Sequence, residues 1–541
     1  MSMSQVIRSM SIWDSPFWRL ASRAVPVLCA ALFIALLVDY LRILRFRQRL
    51  PPGPFPLPII GNHLTIPLPK PWIAFEKWSQ YYNSPLITIW LGRDPKIIVN
   101  DAWAACELME KRADIYSSRP RMIINGDLLG TSKNNQTNLP YGDRWRLHRR
   151  IMHTAVGSQA VVHYRDFQSA EAKVLLRDLM EDADDYVMSI ERYSISVVSI
   201  VGWGRRISRK NDPVAQTSLA AMEAIDWVVP GVSWVESIPE LAHLPAWVYP
   251  FPNMVRSAGV MFMKYFYALS REGAQAQEEN FAKRLLREQG EHGLSNDEVA
   301  SLTANLIGGG VDTTSSTMIS AILAFCVFPH VQLRAQNEID DVVGKDRMPN
   351  WQDEKSLPYI TAIVKEALRW RTVTVLAGIP HAPTRDDEYE GFRIPAGTNI
   401  TANIWAIHRN PRDFPDPDEF RPERYLNGLE KPYPNTRGHN AFGFGRRQCS
   451  GQPLAEQGLA MSLARLLWAF DIKPGLDAEG REVKLDIFDY TNGENIRPQP
   501  FKVRFVPRFA GVRNIILQEA EQALSFLSKY EGETKVTMQA L

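Results

Sequence analysis

The stretch "FGFGRRQCSG", Phe442 to Gly451, sets a single cysteine among three glycines, two phenylalanines and two arginines. Glycine lets a backbone turn tightly and approach a flat object, and arginine forks hold anions. The loop therefore suits a bulky planar group with an acidic rim. The residues after it, "QPLAEQGLAMSLARLLWAF", carry a helical pattern, so the Cys449 sulfur lies near a helix N-terminus, where partial positive charge favours a thiolate.

Working outward, the other cysteines (Cys29, Cys106, Cys326) are too scattered for a disulfide framework or a C-x-x-C metal site, which places the catalytic part in a reducing compartment. A chain of 541 residues, 45% hydrophobic, can bury a large core, and 62 basic against 60 acidic side chains give no case for a nucleic-acid partner. Near the start, "AVPVLCAALFIALLV" (Ala24 to Val38) is uncharged and extends through "DYLRIL" to membrane-spanning length, which predicts an anchor over residues 24–44. Arg42, Arg45, Arg47 and Arg49 after it outnumber Arg8, Arg19 and Arg23 before it, so residues 1–23 are expected on the lumenal side and the rest in the cytosol. A basic and Pro-rich stretch over 45–62, ending in "PPGPFPLPIIGN", reads as a stiff spacer.

No internal repeat interrupts the remainder, which predicts one large domain over 63–508 and a helical extension over 509–541. In that extension Ile515, Leu517, Ala520, Leu524 and Leu527 share roughly helical spacing and read as a packing or surface helix. "LITIWLGRDPKIIVN" predicts a hairpin, and "GFRIPAGTNITANI" and "FKVRFVPR" predict short strands; most of the rest has helical periodicity. The fold class is thus mainly α with a smaller β-rich part. The clearest helix opens at a capping box, Ser295 with Glu298, and is expected to run unbroken to Phe328 before Pro329, roughly 50 Å. Its centre, "GGGVDTT" (Gly308 to Thr314), holds three glycines that each cost about 1 kcal/mol relative to alanine in a helix. Such a run needs a packing or functional reason.

Four separated motifs resemble, in order and spacing, the cytochrome P-450 family of haem-thiolate enzymes. Phe442, Gly445, Arg447, Cys449 and Gly451 fill the pattern F-x-x-G-x-R-x-C-x-G. Gly309, Gly310, Asp312, Thr313 and Thr314 match the glycine-rich centre of the family's long helix, Glu366 and Arg369 of "KEALR" match its ion pair with Arg424 of "FRPERY" as partner, and Trp145 and Arg149 match W-x-x-x-R. The resemblance implies a large haem domain of that family behind an N-terminal transmembrane helix, with haem b bound by the Cys449 thiolate, the ligand that promotes cleavage of dioxygen. It implies Arg447, Trp145, Arg149 and His381 at the propionate edge, and a groove opened by Gly309 and Gly310. It further implies Thr313 as hydrogen-bond donor at the oxygen site, Asp312 as proton relay, and Glu366, Arg369 and Arg424 as a buried network that fixes the haem loop.

The chain shows no flavin or nicotinamide module, so the resemblance implies electrons from NADPH through a separate reductase of the endoplasmic reticulum, with cytochrome b5 as a second donor. Arg144, Arg146, Arg150, Arg437 and Arg446 would form the docking face. Substrate contacts are expected from Arg121–Leu129, Leu302–Gly309, Thr372–Gly378 and Asp489–Ile496, mostly apolar with Thr374, Asn305 and Asn492 as polar members. These suit a lipophilic small molecule, and the haem loop resembles fungal members that decorate natural products. The implied activity is insertion of one oxygen atom from dioxygen. The alternatives are a haem-thiolate isomerase or dehydratase, against which the alcohol of Thr313 counts, and a non-catalytic haem-based binding or sensor protein, which needs no proton relay.

Overall fold

The computed structural model describes residues 16–209, 211–223 and 229–538, so most of the expected lumenal segment lies outside the described residues. Helix α1 (Pro16–Arg47) contains the apolar stretch Ala24–Arg47, with a mean hydropathy of 2.3 and none of it buried against protein. It has the length and composition to cross a bilayer. Its foot is tied to the globule: the Tyr40 hydroxyl donates to Pro56 O (2.9 Å), Asp39 pairs with Arg93, and Phe46 stands edge-on to Trp90. The Pro-rich stretch that follows packs on the domain. Gly53 approaches strand β1 (Leu86–Leu91) so closely that a Cβ would sit 1.9 Å from Thr88 O, and Gly61 bridges Leu57 and Leu91.

The predicted hairpin forms from β1 and β2 (Asp94–Val99), antiparallel around Gly92 at φ +60°, and β3 (Asn399–Ala402) joins β2 in parallel with Lys96 opposite Asn399. A small hairpin pairs Asp387–Tyr389 with Phe392–Ile394, and strands β4 (Phe470–Pro474) and β5 (Val503–Pro507) close a third sheet. All three are short and edge a helical core.

Five helices build the part of that core that matters for the site: α2 (Asp143–Val156), α3 (Arg165–Glu181), α4 (Tyr186–Trp203), α5 (Asn296–Val311) and α6 (Thr313–Val327). On α6 every residue from Ser315 to Cys326 is buried. This explains why Asn296–Val327 is apolar enough to pass for a second span: it is the middle of the globule. Helices α7 (Pro358–Trp370) and α8 (Gln452–Ala469) pack against it from below.

One expectation is corrected. The long central helix begins at the predicted capping box but is broken at Asp312, where α5 ends and α6 begins. Thr313 Oγ1 donates to Gly309 O (2.6 Å), and Ser315 Oγ donates to Val311 O and Asp312 O (3.1 and 3.0 Å). Hydroxyls thus compete for carbonyls of the helical ladder in a stretch that glycine already weakens. In the extension, helix α9 (Val512–Leu527) packs on α3 through Val512, Ile516, Ala520, Ala523 and Leu527, while Leu517 is 36% exposed. Of the five residues that share helical spacing, Ala520 and Leu527 are buried, Ile515 and Leu524 pack half-buried against the core and Leu517 faces outward, while Val512 and Ile516 widen the stripe.

Candidate active site

The α5–α6 break and the segment Phe442–Leu459, which spans the cysteine loop and the first turns of α8, face each other across a cavity of about 340 Å³. The Cys449 sulfur opens on it. Burial pushes the Cys449 thiol pKa up, while the N–H groups of Gly451 and Gln452 at the start of α8 and the Arg149 charge pull the other way, towards the thiolate. For Cys106 and Cys326 burial outweighs what opposes it, the Asn440 and Asn435 amides at Cys106 and the Arg504 charge at Cys326; it pushes both up to about 12, and they behave as inert core.

The loop is shaped by its glycines in different ways. Gly445, at φ +52°, lies where a Cβ would come within 2.2 Å of Met109 O, so no other residue fits the turn. Gly451 begins the α8 N-terminus, and Phe442 lines the cavity while its carbonyl accepts the Cys449 N–H (2.9 Å). On the opposite wall the two predicted glycines separate. A Cβ on Gly309 would meet nothing within 4 Å and would enter the cavity, whereas one on Gly310 would lie 2.2 Å from Val198 Cγ1 of α4. Gly309 clears space and Gly310 permits helix packing. Thr313 lines the cavity; Asp312 does not, and its Oδ1 accepts the Ser316 hydroxyl (3.0 Å) behind the break.

One edge of the cavity is cationic. Arg447 stacks on Trp145 (4.5 Å) and donates to Ser117 O, Gln136 O and Leu139 O, Arg149 donates to Ser450 Oγ (2.6 Å), and Arg119 donates to Thr137 O, Ile379 O and Pro380 O. Among the described residues none of the three has a carboxylate partner. Burial and mutual repulsion push Arg447 down to about 8, and burial pushes Arg119 down to about 9, which measures how poorly these charges are compensated. Burial, with Arg119 and Arg447, pushes His381 down to about 3. It is therefore neutral, with Nδ1 against Tyr116 O (2.8 Å). Arg119 is the member the sequence reading missed, because a single arginine before a proline carries no motif.

Two further clusters brace the site. Arg369 donates twice to Glu366 (2.6 and 2.9 Å), both fully buried, and to the carbonyls of His408, Pro417 and Glu419; Arg424 lies 3.5 Å from Glu366. His408 then accepts the Asn440 N–H at Nε2 (2.9 Å), which links this network to the cysteine loop. On α2, Arg144 and His148 both bond Glu298, the capping-box residue of α5. Arg144 is thus tied to α5 with its side chain still 38% exposed, and Arg437 is engaged by Glu110 and Gln448; Arg146, Arg150 and Arg446 are exposed.

Of the expected substrate segments, Asn305, Leu306, Gly309, Thr372, Val373, Thr374 and Ala377 line the cavity. The turn Asp489–Ile496, including Asn492, stands one layer back, bridged to Val373–Val375, and Arg121–Leu129 packs instead against Val235, Ala242 and Val255.

Residues 51–486 match the family model described as cytochrome P-450. The chain belongs to the cytochrome P-450 family. It is 36% identical to cytochrome P-450 monooxygenase 105 of Postia placenta over 92% of this chain and 97% of that one. It is 34% identical to a cytochrome P-450 monooxygenase of Armillaria gallica over 93% and 98%, and 35% identical to tryptamine 4-monooxygenase of Psilocybe cyanescens over 89% and 98%. As a cytochrome P-450 monooxygenase the protein is an oxidoreductase that incorporates oxygen, and the family implies haem iron, a redox partner and a small-molecule substrate.

Proposed function

We propose that this cytochrome P-450 hydroxylates or oxidatively cyclises a lipophilic natural product in fungal secondary metabolism, with Cys449 as the thiolate ligand of haem b. The observation that carries the reading is one cavity in which an accessible sulfur at a helix N-terminus faces a wall cleared at Gly309, beside three guanidiniums that lack carboxylate partners among the described residues. That donor set complements a flat, dianionic macrocycle. When bound, haem iron supplies the activation of dioxygen, one atom of which enters the substrate while the other leaves as water.

The protein's own groups then divide the remaining work. Arg119, Arg149 and Arg447 hold the carboxylates, and Trp145 supports Arg447 by stacking. His381 joins them only when protonated: the neutral ring uses its Nδ1–H on Tyr116 O and has no donor left for an anion. Phe442, Gly445 and Gly451 shape the loop, and Gly310 lets α4 and α5 approach. The Thr313 hydroxyl holds a proton at the cavity wall, and Asp312, whose Oδ1 accepts from Ser316, would take protons from solvent and pass them on towards Thr313. Glu366, Arg369 and Arg424 position the loop without touching the reacting atoms.

Electrons come from NADPH through a diflavin reductase, with cytochrome b5 as a second donor, docked near exposed Arg146, Arg150 and Arg446. The protein sits in the endoplasmic reticulum membrane: residues 1–23 lumenal, 24–44 anchor, 45–62 the membrane-proximal stretch, 63–508 the cytosolic haem domain and 509–541 the extension. Cys449→Ser tests the core of this reading. The wild-type protein loaded with haem is expected to show the red-shifted ferrous-carbonyl band of thiolate ligation, and the variant to lose it. A wild-type band at the position of a histidine-ligated haem would refute the assignment.

A further inference from the structure

The segment that follows α9, Ser528–Met538, lies beyond the residues that match the family model, yet it is laid along the protein by an ordered series of contacts. Buried Tyr530 stands edge-on to Phe167 of α3 (6.0 Å), and its carbonyl accepts the Arg206 N–H (2.8 Å). The guanidinium of Arg206, itself buried, ties the segment to the interior by donating both to Glu531 (2.6 Å) and to the fully buried Glu171 of α3 (2.7 Å). Arg205 donates to Gly532 O (3.1 Å), and Arg209 pairs with Glu533. Beyond these ties Thr534, Val536 and Met538 turn inward while Glu533, Lys535 and Thr537 are exposed, the alternation of an extended chain lying on a surface.

The far end of this segment is fastened to a different element, the helix Phe251–Gly273. Both oxygens of Glu272, in its last turn, are engaged: Oε2 accepts the Thr534 hydroxyl (2.7 Å) and Oε1 the Lys535 N–H (3.1 Å). The helix lies on α5, where the Ser270 and Thr303 hydroxyls are 2.9 Å apart and Ser301 donates to Met263 Sδ (3.4 Å), and α5 supplies Leu306 and Gly309 to the cavity. The grip on this helix is uneven. Its second half buries Tyr265, Phe266, Leu269, Ser270 and Gly273, with Phe266 stacked on Trp203 (6.2 Å), whereas in its first half Met254 is 66% and Val260 60% exposed. The end held at Glu272 is thus the natural pivot. At 1.5 Å per residue the helix is roughly 34 Å long, so a rotation of about 10° there displaces its start by about 6 Å. The bonds to Glu272 lie near the surface, and breaking them is a local opening that leaves the core packed.

We propose that Ser528–Met538 is a strap that holds helix Phe251–Gly273 down on α5 by linking Glu272 to the Arg206–Glu171 pair, and that releasing it speeds the passage of a ligand into and out of the cavity without changing how tightly the ligand binds. Among the described residues none of the strap lines the cavity, so it makes no contact with a bound ligand. It acts on opening alone, equally for entry and exit while the closed position remains the dominant one. The inference rests on the proposed reading of the cavity as the substrate site.

The test uses the full-length, haem-loaded protein in lipid nanodiscs. Hydrogen–deuterium exchange of peptides from 251–273 is compared in wild type, in Glu272→Ala, which cuts both bonds, and in Glu272→Gln, which keeps an acceptor; Glu279→Ala, which removes an exposed carboxylate paired with Arg287 in the next loop, is the control. Exchange of the helix is expected to rise about tenfold in Glu272→Ala, by less in Glu272→Gln and not in the control, with α3 and α8 unchanged. Stopped-flow mixing with 1-phenylimidazole, an apolar ligand whose free nitrogen binds haem iron, is expected to show association and dissociation both several-fold faster in Glu272→Ala, with a Kd within twofold of wild type. Exchange in Glu272→Ala within twofold of wild type, an increase spread over the whole chain, unchanged ligand rates, or a Kd shifted by more than the rates would overturn the proposal. So would the absence of ligand binding in wild type that shows the thiolate ferrous-carbonyl band. If that band itself is missing from wild type, the haem-thiolate reading falls, while the exchange comparison still decides whether the strap holds the helix.

Discussion

Adjacent glycines in the central helix should respond to the same substitution in opposite directions. Alanine gains about 0.8–1 kcal/mol over glycine in a helix interior. At Gly309 the new methyl meets nothing within 4 Å, so Gly309→Ala keeps that gain and places a methyl in the cavity. At Gly310 the methyl would lie 2.2 Å from Val198 Cγ1 and 3.2 Å from Val198 Cβ, and relieving that overlap costs about 1–3 kcal/mol. The two variants should therefore differ by about 2 kcal/mol, with Gly309→Ala the more stable. At about 2.1 cal/mol/K per residue a chain of this size has an unfolding entropy of about 1 kcal/mol/K, so the difference reads as roughly 2 °C in a thermal melt. Scanning fluorimetry at one fixed heating rate, together with product formation, provides the assay. Gly309→Ala should melt higher and yet lose turnover, and Gly310→Ala should melt lower. Equal shifts of the same sign, or full turnover in Gly309→Ala, would refute the division of labour drawn from the two glycines.

Removing one partner of the fully buried Glu366–Arg369 pair leaves an uncompensated charge and costs about 3–5 kcal/mol, so Glu366→Gln should yield protein with a low haem-to-protein ratio; normal haem loading would contradict the network's positioning role. Thr313→Ala should keep consuming NADPH while releasing hydrogen peroxide in place of product, measured as the stoichiometry of the two. Glu298 gives a pH prediction: burial alone would raise its carboxyl, but hydrogen bonds from Arg144, Ser295 and His148 hold it down to about 2 against an ordinary value of 4.5. Its folded-state pKa is depressed, so this stabilisation is complete above about pH 4.5 and is lost as pH falls towards 2; 2.5 units correspond to about 3 kcal/mol. Glu298→Gln should therefore melt below wild type at neutral pH, and the gap should shrink on acidification across that window.

Most of the cavity-facing residues were legible in the linear sequence, because haem-thiolate chemistry needs particular side chains at short, fixed spacings. Cys449 with its flanking glycines and arginines, the Gly309–Thr314 run and the Glu366–Arg369 step each fit within about ten residues, and local rules of turns, helix ends and i, i+3 neighbours apply at that range. What lay beyond reach depends on contacts between distant segments. Arg119 joins the cationic edge because a loop folds across from Ile379 and Pro380, and Arg144 is drawn into a pair with Glu298, 154 residues later. Gly309 and Gly310 are identical letters until Val198 arrives beside one of them, and Asp312 turns from the cavity once hydroxyls have broken the helix. Burial, steric overlap and charge compensation are properties of neighbours in space, and a chain read in order does not show who those neighbours are.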